Sequence, residues 1–113
     1  MTKKSLNTLH FEFKAEQLKE PIDIDFHFGV VGSGDMEVLI HPKKNSNKAE
    51  FKVVTPVTGF EHVWEKVLQK FVNESGVHDV LFEINDNNAT PAVVSLRLYQ
   101  SIGELAAAGK EGE

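Results

Sequence analysis

Ser33 stands between Gly32 and Gly34 in the stretch HFGVVGSGDMEVLI, residues 27–40, with Asp35 two places on. A hydroxyl with no side chain on either neighbour is open to another molecule, because glycine lets a foreign backbone approach closely. Several chemistries could use it. A nucleophile elbow needs glycines two residues either side of its serine. Those positions here are Val31 and Asp35, and nothing orients the nearby His27 or His41 toward Ser33. A phosphate-binding loop needs Walker or dinucleotide glycine spacing with a helix start behind it, and no helix signal follows Gly34. The five histidines, at 10, 27, 41, 62 and 78, lack metal-ligand spacing, and His62 with Glu65 reads as helix surface. Two readings fit the residues better. The plainer is a tight turn. In the other, Ser33 is an attachment point: an exposed tip can enter a modifying enzyme's active site, and serine supplies the oxygen of a phosphodiester. Activation would then come from the modifying enzyme, so no base is needed beside Ser33.

The elements around the serine have to hold it at a tip. Residues 9–14 alternate Leu9, Phe11 and Phe13 against His10, Glu12 and Lys14, the pattern of a half-buried strand. Residues 22–31 alternate for longer, with Ile22, Ile24, Phe26, Phe28 and Val30 on one face. Met36, Val38 and Ile40 then oppose Glu37, Leu39 and His41. Two such runs with a Gly-rich break between them predict a hairpin with Ser33 at its tip. A polar turn over 41–48 leads to a strand over 49–55. Thr58 and Glu61 form a capping-box pattern ahead of a helix whose stripe is Phe60, Val63, Trp64, Val67, Leu68 and Phe71, with Gly76 as its stop. Residues 77–84 are apolar enough on both faces for an inner strand. Residues 92–100 fit either period, but Thr90 as N-cap with Pro91 at the first helical position favours a helix. Its face is Val94, Leu98, Ile102 and Leu105. The expected fold is α+β, a single domain over residues 1–113 in the order ββββαβα, with two helices packed on a largely antiparallel sheet. Its ordered core spans about 8–106, and the tail 107–113 is expected to be flexible.

Composition narrows the classes. A chain of 113 residues suits one domain with one core. The absence of cysteine excludes a disulfide framework, a thiolate metal site and a catalytic thiol. A net charge of −5, with lysine clusters only at 3–4 and 43–44, argues against nucleic acid as a partner. No apolar run approaches the roughly 18 residues of a membrane span, and the start MTKKSLNTLHFEF has no apolar signal core. A soluble, cytoplasmic domain is expected.

The stretch GVVGSGDMEVLI followed by INDNNATPAVVSLRLYQSIGEL resembles the acyl carrier (delta) subunits of bacterial malonate decarboxylases. The similarity runs from about LHFEF to IGEL, and VVGSGD is its most specific part. In that family the motif serine carries 2'-(5''-phosphoribosyl)-3'-dephospho-coenzyme A, so the resemblance implies that Ser33 is the covalent attachment site. Gly32, Gly34 and Asp35 are the flanking motif. Fatty-acid carriers instead use an Asp-Ser-Leu motif for phosphopantetheine, which does not occur here. The citrate lyase gamma subunit, distantly similar, carries the same group in a Ser-Ser-Asp context, and Gly-Ser-Gly-Asp favours malonate. An insertion-like KKNSNK turn and a lysine-rich start depart from the family without touching the motif.

The resemblance implies a non-catalytic subunit that carries acetyl and malonyl as thioesters during conversion of malonate to acetate and CO2. Its implied partners are the malonyl transferase, the decarboxylase subunits and the holo-carrier synthase that attaches the group. The rivals are a citrate lyase-type carrier, an unmodified interaction module presenting a sheet edge or the Trp64 helix, and a small enzyme using Ser33. Asp35 is read as capping the turn, with docking of the modifying enzyme as the alternative. Arg97, the only arginine, is read as surface.

Overall fold

Alternation of apolar and polar residues decides which strands exist and which face each buries. In the computed structural model, which describes residues 6–29 and 32–111, β1 runs Asn7–Phe13, β2 Phe26–Gly29, β3 Asp35–Pro42, β4 Ala49–Thr55 and β5 Val80–Asn87. Helix α1 spans Glu61–Ser75 and α2 spans Pro91–Glu111. The order is the expected ββββαβα. One five-stranded sheet is arranged β1-β4-β5-β3-β2. Every neighbouring pair is antiparallel except β4–β5, which α1 joins as a parallel crossover.

Met36, Val38 and Ile40 of β3, Phe51 and Val53 of β4, and Phe82 and Ile84 of β5 are fully or almost fully buried. Trp64, Leu68, Phe71, Val94 and Leu98 from the two helices close over them. Phe82 lies at the centre of this layer, stacked on Phe51 at 4.9 Å and edge-on to Phe71 at 5.7 Å. The opposite face is polar. Glu37 contacts His27 at 3.0 Å and Asn85 at 2.7 Å, and His41 contacts Asp25 at 3.0 Å.

Five expectations need correction. The strand expected over 22–31 begins only at Phe26; Val30 and Val31 lie outside the described residues. Ile22 is buried by docking beside the end of α1, where its amide donates to the His78 carbonyl at 3.2 Å, and Ile24 is exposed. The Thr58–Glu61 capping box does not form: Gly59 turns the chain at φ +83° and the N-cap is Phe60, with no side-chain cap. Phe60 and Val63, assigned to the core stripe, are 51% and 37% exposed. The inner strand begins at Val80 rather than at 77, because Asp79 sits at φ +57° with its carboxylate accepting the Asn47 and Asn45 amides. Helix α2 continues to Glu111, beyond residue 106, carried by the helix-favouring Ala106–Ala108 run; residues 112–113 lie outside the described residues. The Gly76 stop forms as expected at φ +70°, and the Thr90 hydroxyl accepts the Val93 amide at 3.3 Å. Among the described residues no helix is long and apolar enough to cross a membrane.

Phe82→Ala removes the ring on which two other aromatics rest. The expected loss is about 3–5 kcal/mol, out of a total of about 5–15 kcal/mol for a domain this size. Chemical denaturation should place the variant close to unfolding; a midpoint equal to wild type would show that the stack is dispensable.

Candidate functional site

Antiparallel pairing of β2 with β3 brings Gly29 opposite Glu37 and leaves residues 30–34 to close the hairpin. Gly29 is required by contact: a Cβ there would lie 2.8 Å from the Met36 carbonyl oxygen, at φ +85°. The Asp35 amide donates to the Gly32 carbonyl at 3.0 Å, closing a four-residue turn. Gly34 takes the third position at φ +74°, as a type II turn demands. That leaves Ser33 at the second position, exposed, as the sequence places it. Among the described residues, a Cβ built on Gly32 or Gly34 would meet nothing within 4 Å beyond its chain neighbours, so the space beside the serine is open there.

Contacts from β5 and from α2 fix this turn to the rest of the fold. The Gly34 amide donates to the Asn87 carbonyl at 2.7 Å, tying it to the last residue of β5. Arg97, in the second turn of α2, grips Asp35 with both prongs: Nε donates to Oδ1 and Nη2 to Oδ2, each at 2.8 Å. Asp35 Oδ1 also accepts the Met36 amide at 2.7 Å, and Arg97 Nη1 donates to Gln100 at 2.8 Å. The Arg97 hydrogen bonds, followed by the Met36 amide, hold the Asp35 carboxyl below its usual 3.8. The Asp35 side chain bonds to the amide that follows the turn and to Arg97, a partner that sequence reasoning missed. Arg97, read as surface, belongs to the site. A parallel fork–carboxylate contact of this kind adds orientation as well as energy.

The histidines do not converge on Ser33. His27 pairs with Glu37 and His41 with Asp25, while His78 donates to the Lys19 carbonyl at 2.6 Å. What the turn offers is an exposed hydroxyl on a backbone anchored from both sides.

Asp35 titrates lower in the folded state than in the unfolded chain. The pair's contribution to stability is therefore present above the unfolded carboxylate range and lost as pH falls through the folded value. The melting temperatures of wild type and Arg97→Gln should differ at neutral pH and converge as pH drops below the ordinary carboxylate value of 3.8. A difference that keeps its size in acid would mean that Arg97 acts through side-chain packing alone.

The family model for the malonate decarboxylase delta subunit matches residues 24–105, a span that includes the turn, Arg97 and the start of α2. The chain is 51% identical over 106 residues to the malonate decarboxylase acyl carrier protein of Malonomonas rubra, covering 91% of this chain and 92% of that one. It is 45% identical over 74 residues to the corresponding protein of Acinetobacter calcoaceticus, covering 66% and 72%. The fold matches a chain in the crystal structure of a Pseudomonas malonate decarboxylase hetero-tetramer in complex with malonate. That match has a TM-score of 0.74 and 36% identity, over 88% of this chain and 98% of that one. With the family's pattern running through both the serine turn and the helix that grips it, this chain belongs to the malonate decarboxylase acyl carrier (delta) subunits, a family of carriers rather than catalysts.

Proposed function

We propose that Ser33 is the covalent attachment point for 2'-(5''-phosphoribosyl)-3'-dephospho-coenzyme A, and that the chain presents acetyl and malonyl groups to the other subunits of a malonate decarboxylase. The observation that carries this reading is the exposed Ser33 hydroxyl between two glycines with open space beside each. Open space beside both neighbours of Ser33 supports the attachment of a bulky phosphoribosyl group there. Attachment forms one bond, from the serine oxygen to phosphorus, and breaks the bond from phosphorus to the leaving group of the donor. The serine proton passes to a base of the holo-carrier synthase. Once bound, the group supplies a terminal thiol for thioester chemistry.

The chain's own residues present and orient. Asp35, held by Arg97, and Gly34, held by Asn87, keep the tether point on a fixed base. Tethering raises the effective concentration of the acyl group at each partner site to the millimolar range. The partners are the malonyl transferase and the decarboxylase subunits, in the cytoplasm, and the net reaction yields acetate and CO2 from malonate. A net charge of −5 suits basic docking patches on these subunits.

Gly34 is needed for its positive φ, but neither φ nor crowding requires glycine at position 32. Its role here is access for the synthase. Digestion and mass mapping of protein from its native cell should place the added group on the peptide containing Ser33; a group on Ser5, Ser46, Ser75, Ser95 or Ser101 would overturn the assignment. Ser33→Ala should stay within roughly 0.5 kcal/mol of wild type and accept no group. Gly32→Val should melt like wild type yet load more slowly, whereas loading at the wild-type rate would assign Gly32 to the turn alone.

A further inference from the structure

At the end of the sheet that carries the serine turn, a cleft of about 260 Å³ opens between the first turns of α1 and α2. Phe60, Val63, Trp64 and Val94 form its apolar walls, and Asn88 and Thr90 stand on its polar rim. Phe60 and Val63 account for the exposed part of the α1 stripe, so folding leaves this apolar surface without cover. The rim adjoins the tether. Gly34 is bonded to Asn87, and Asn88 is the next residue, so the Ser33 and Asn88 Cα atoms are no more than about 13 Å apart.

We propose that this cleft is the resting place of the pantetheine part of the group attached at Ser33, together with its short acyl end. The inference rests on the attachment reading above. The occupant is chosen by chemistry. Among the described residues no lysine or arginine lines the cleft, and the one charged group that does, Asp86, already accepts from Thr55 at 2.8 Å and from the Ala89 amide at 2.9 Å. Phosphates gain nothing there, so the nucleotide end stays in solvent. Pantetheine is uncharged and alternates methylene and gem-dimethyl groups with two amides. The apolar walls suit the first, and the Asn88 side-chain amide offers a donor and an acceptor to the second. The volume is slightly below that of common small-ligand sites, which suits an arm and a two-carbon acyl group rather than a whole coenzyme. A weak site suffices, because the tether supplies a local concentration in the millimolar range.

The test reads occupancy without turnover. Titration of the isotope-labelled apo chain with millimolar S-acetylpantetheine should shift the backbone amides of Val57, Val63, Trp64, Asn88 and Thr90 and change the fluorescence of Trp64, the single tryptophan. Val63→Lys, which sets a charged head across the mouth at an exposed position, should weaken binding at least fivefold. Val63→Phe, which narrows the mouth without charge, should do the same, and both should melt like wild type. Attaching the group to Ser33, confirmed by intact mass, should shift those same amides. Absent shifts, or shifts that neither variant reduces, would overturn the proposal. A loaded carrier whose shifts stay within 32–35 overturns the resting site and leaves the attachment standing. A chain that takes up no group at Ser33 overturns the attachment, and with it this occupant.

Discussion

The bidentate contact between Arg97 and Asp35 sets where the serine turn can be. Without it, the turn is held by its continuity with β3, whose first residue Asp35 pairs with Asn87 of β5, and by the hydrogen bond from the Gly34 amide to the Asn87 carbonyl. With it, the turn is also braced against α2, and α2 itself sits over β2 and β3. An arginine fork on a carboxylate defines distance and plane together, which a lone lysine could not. The hydroxyl two residues from that carboxylate is thus exposed and still held in place.

The end of β5 organises the same region from the other side. Asp86 is 6% exposed and accepts from the Thr55 hydroxyl at the end of β4 and from the Ala89 amide just before α2. A buried carboxylate is tolerated when its oxygens are satisfied in this way. The next residue, Asn87, holds Gly34, and Asn88 turns the chain at φ +67° toward the Thr90 cap of α2. Four successive residues therefore link the central parallel pair, the serine turn and the helix carrying Arg97. The sheet's position for β5, flanked by β4 and β3, makes this possible.

Local patterns in the sequence carried much of this. The alternation of Met36, Val38 and Ile40 matches the buried face of β3, and Thr90-Pro91 marks the start of α2 within one residue. The Gly-Ser-Gly spacing placed Ser33 at an exposed turn. Features set by distant parts of the chain were not legible. Asp35 and Arg97 are 62 residues apart, and no spacing rule joins them. The one available signal was that the chain spends its only arginine there. The capping-box pattern at Thr58 misled because a left-handed Gly59 delays the helix start to Glu61. Phe60 and Val63 share the helical stripe of Trp64 and Leu68, but at that end a cleft lies between them and the first turn of α2. Periodicity identifies a stripe, whereas tertiary packing decides how much of it is buried.

If the clamp holds Ser33 in position for attachment, a double-mutant cycle on the rate of attachment will read it directly. Arg97→Ala, Asp35→Ala and the double variant would each be incubated with the purified synthase, and loading followed by intact mass. Misplacement of reacting groups by about 1 Å can cost on the order of 100-fold in rate. Each single variant should load at least tenfold more slowly than wild type, and the double variant should be no slower than the worse single. Wild-type rates in the single variants, or losses that multiply in the double, would contradict it.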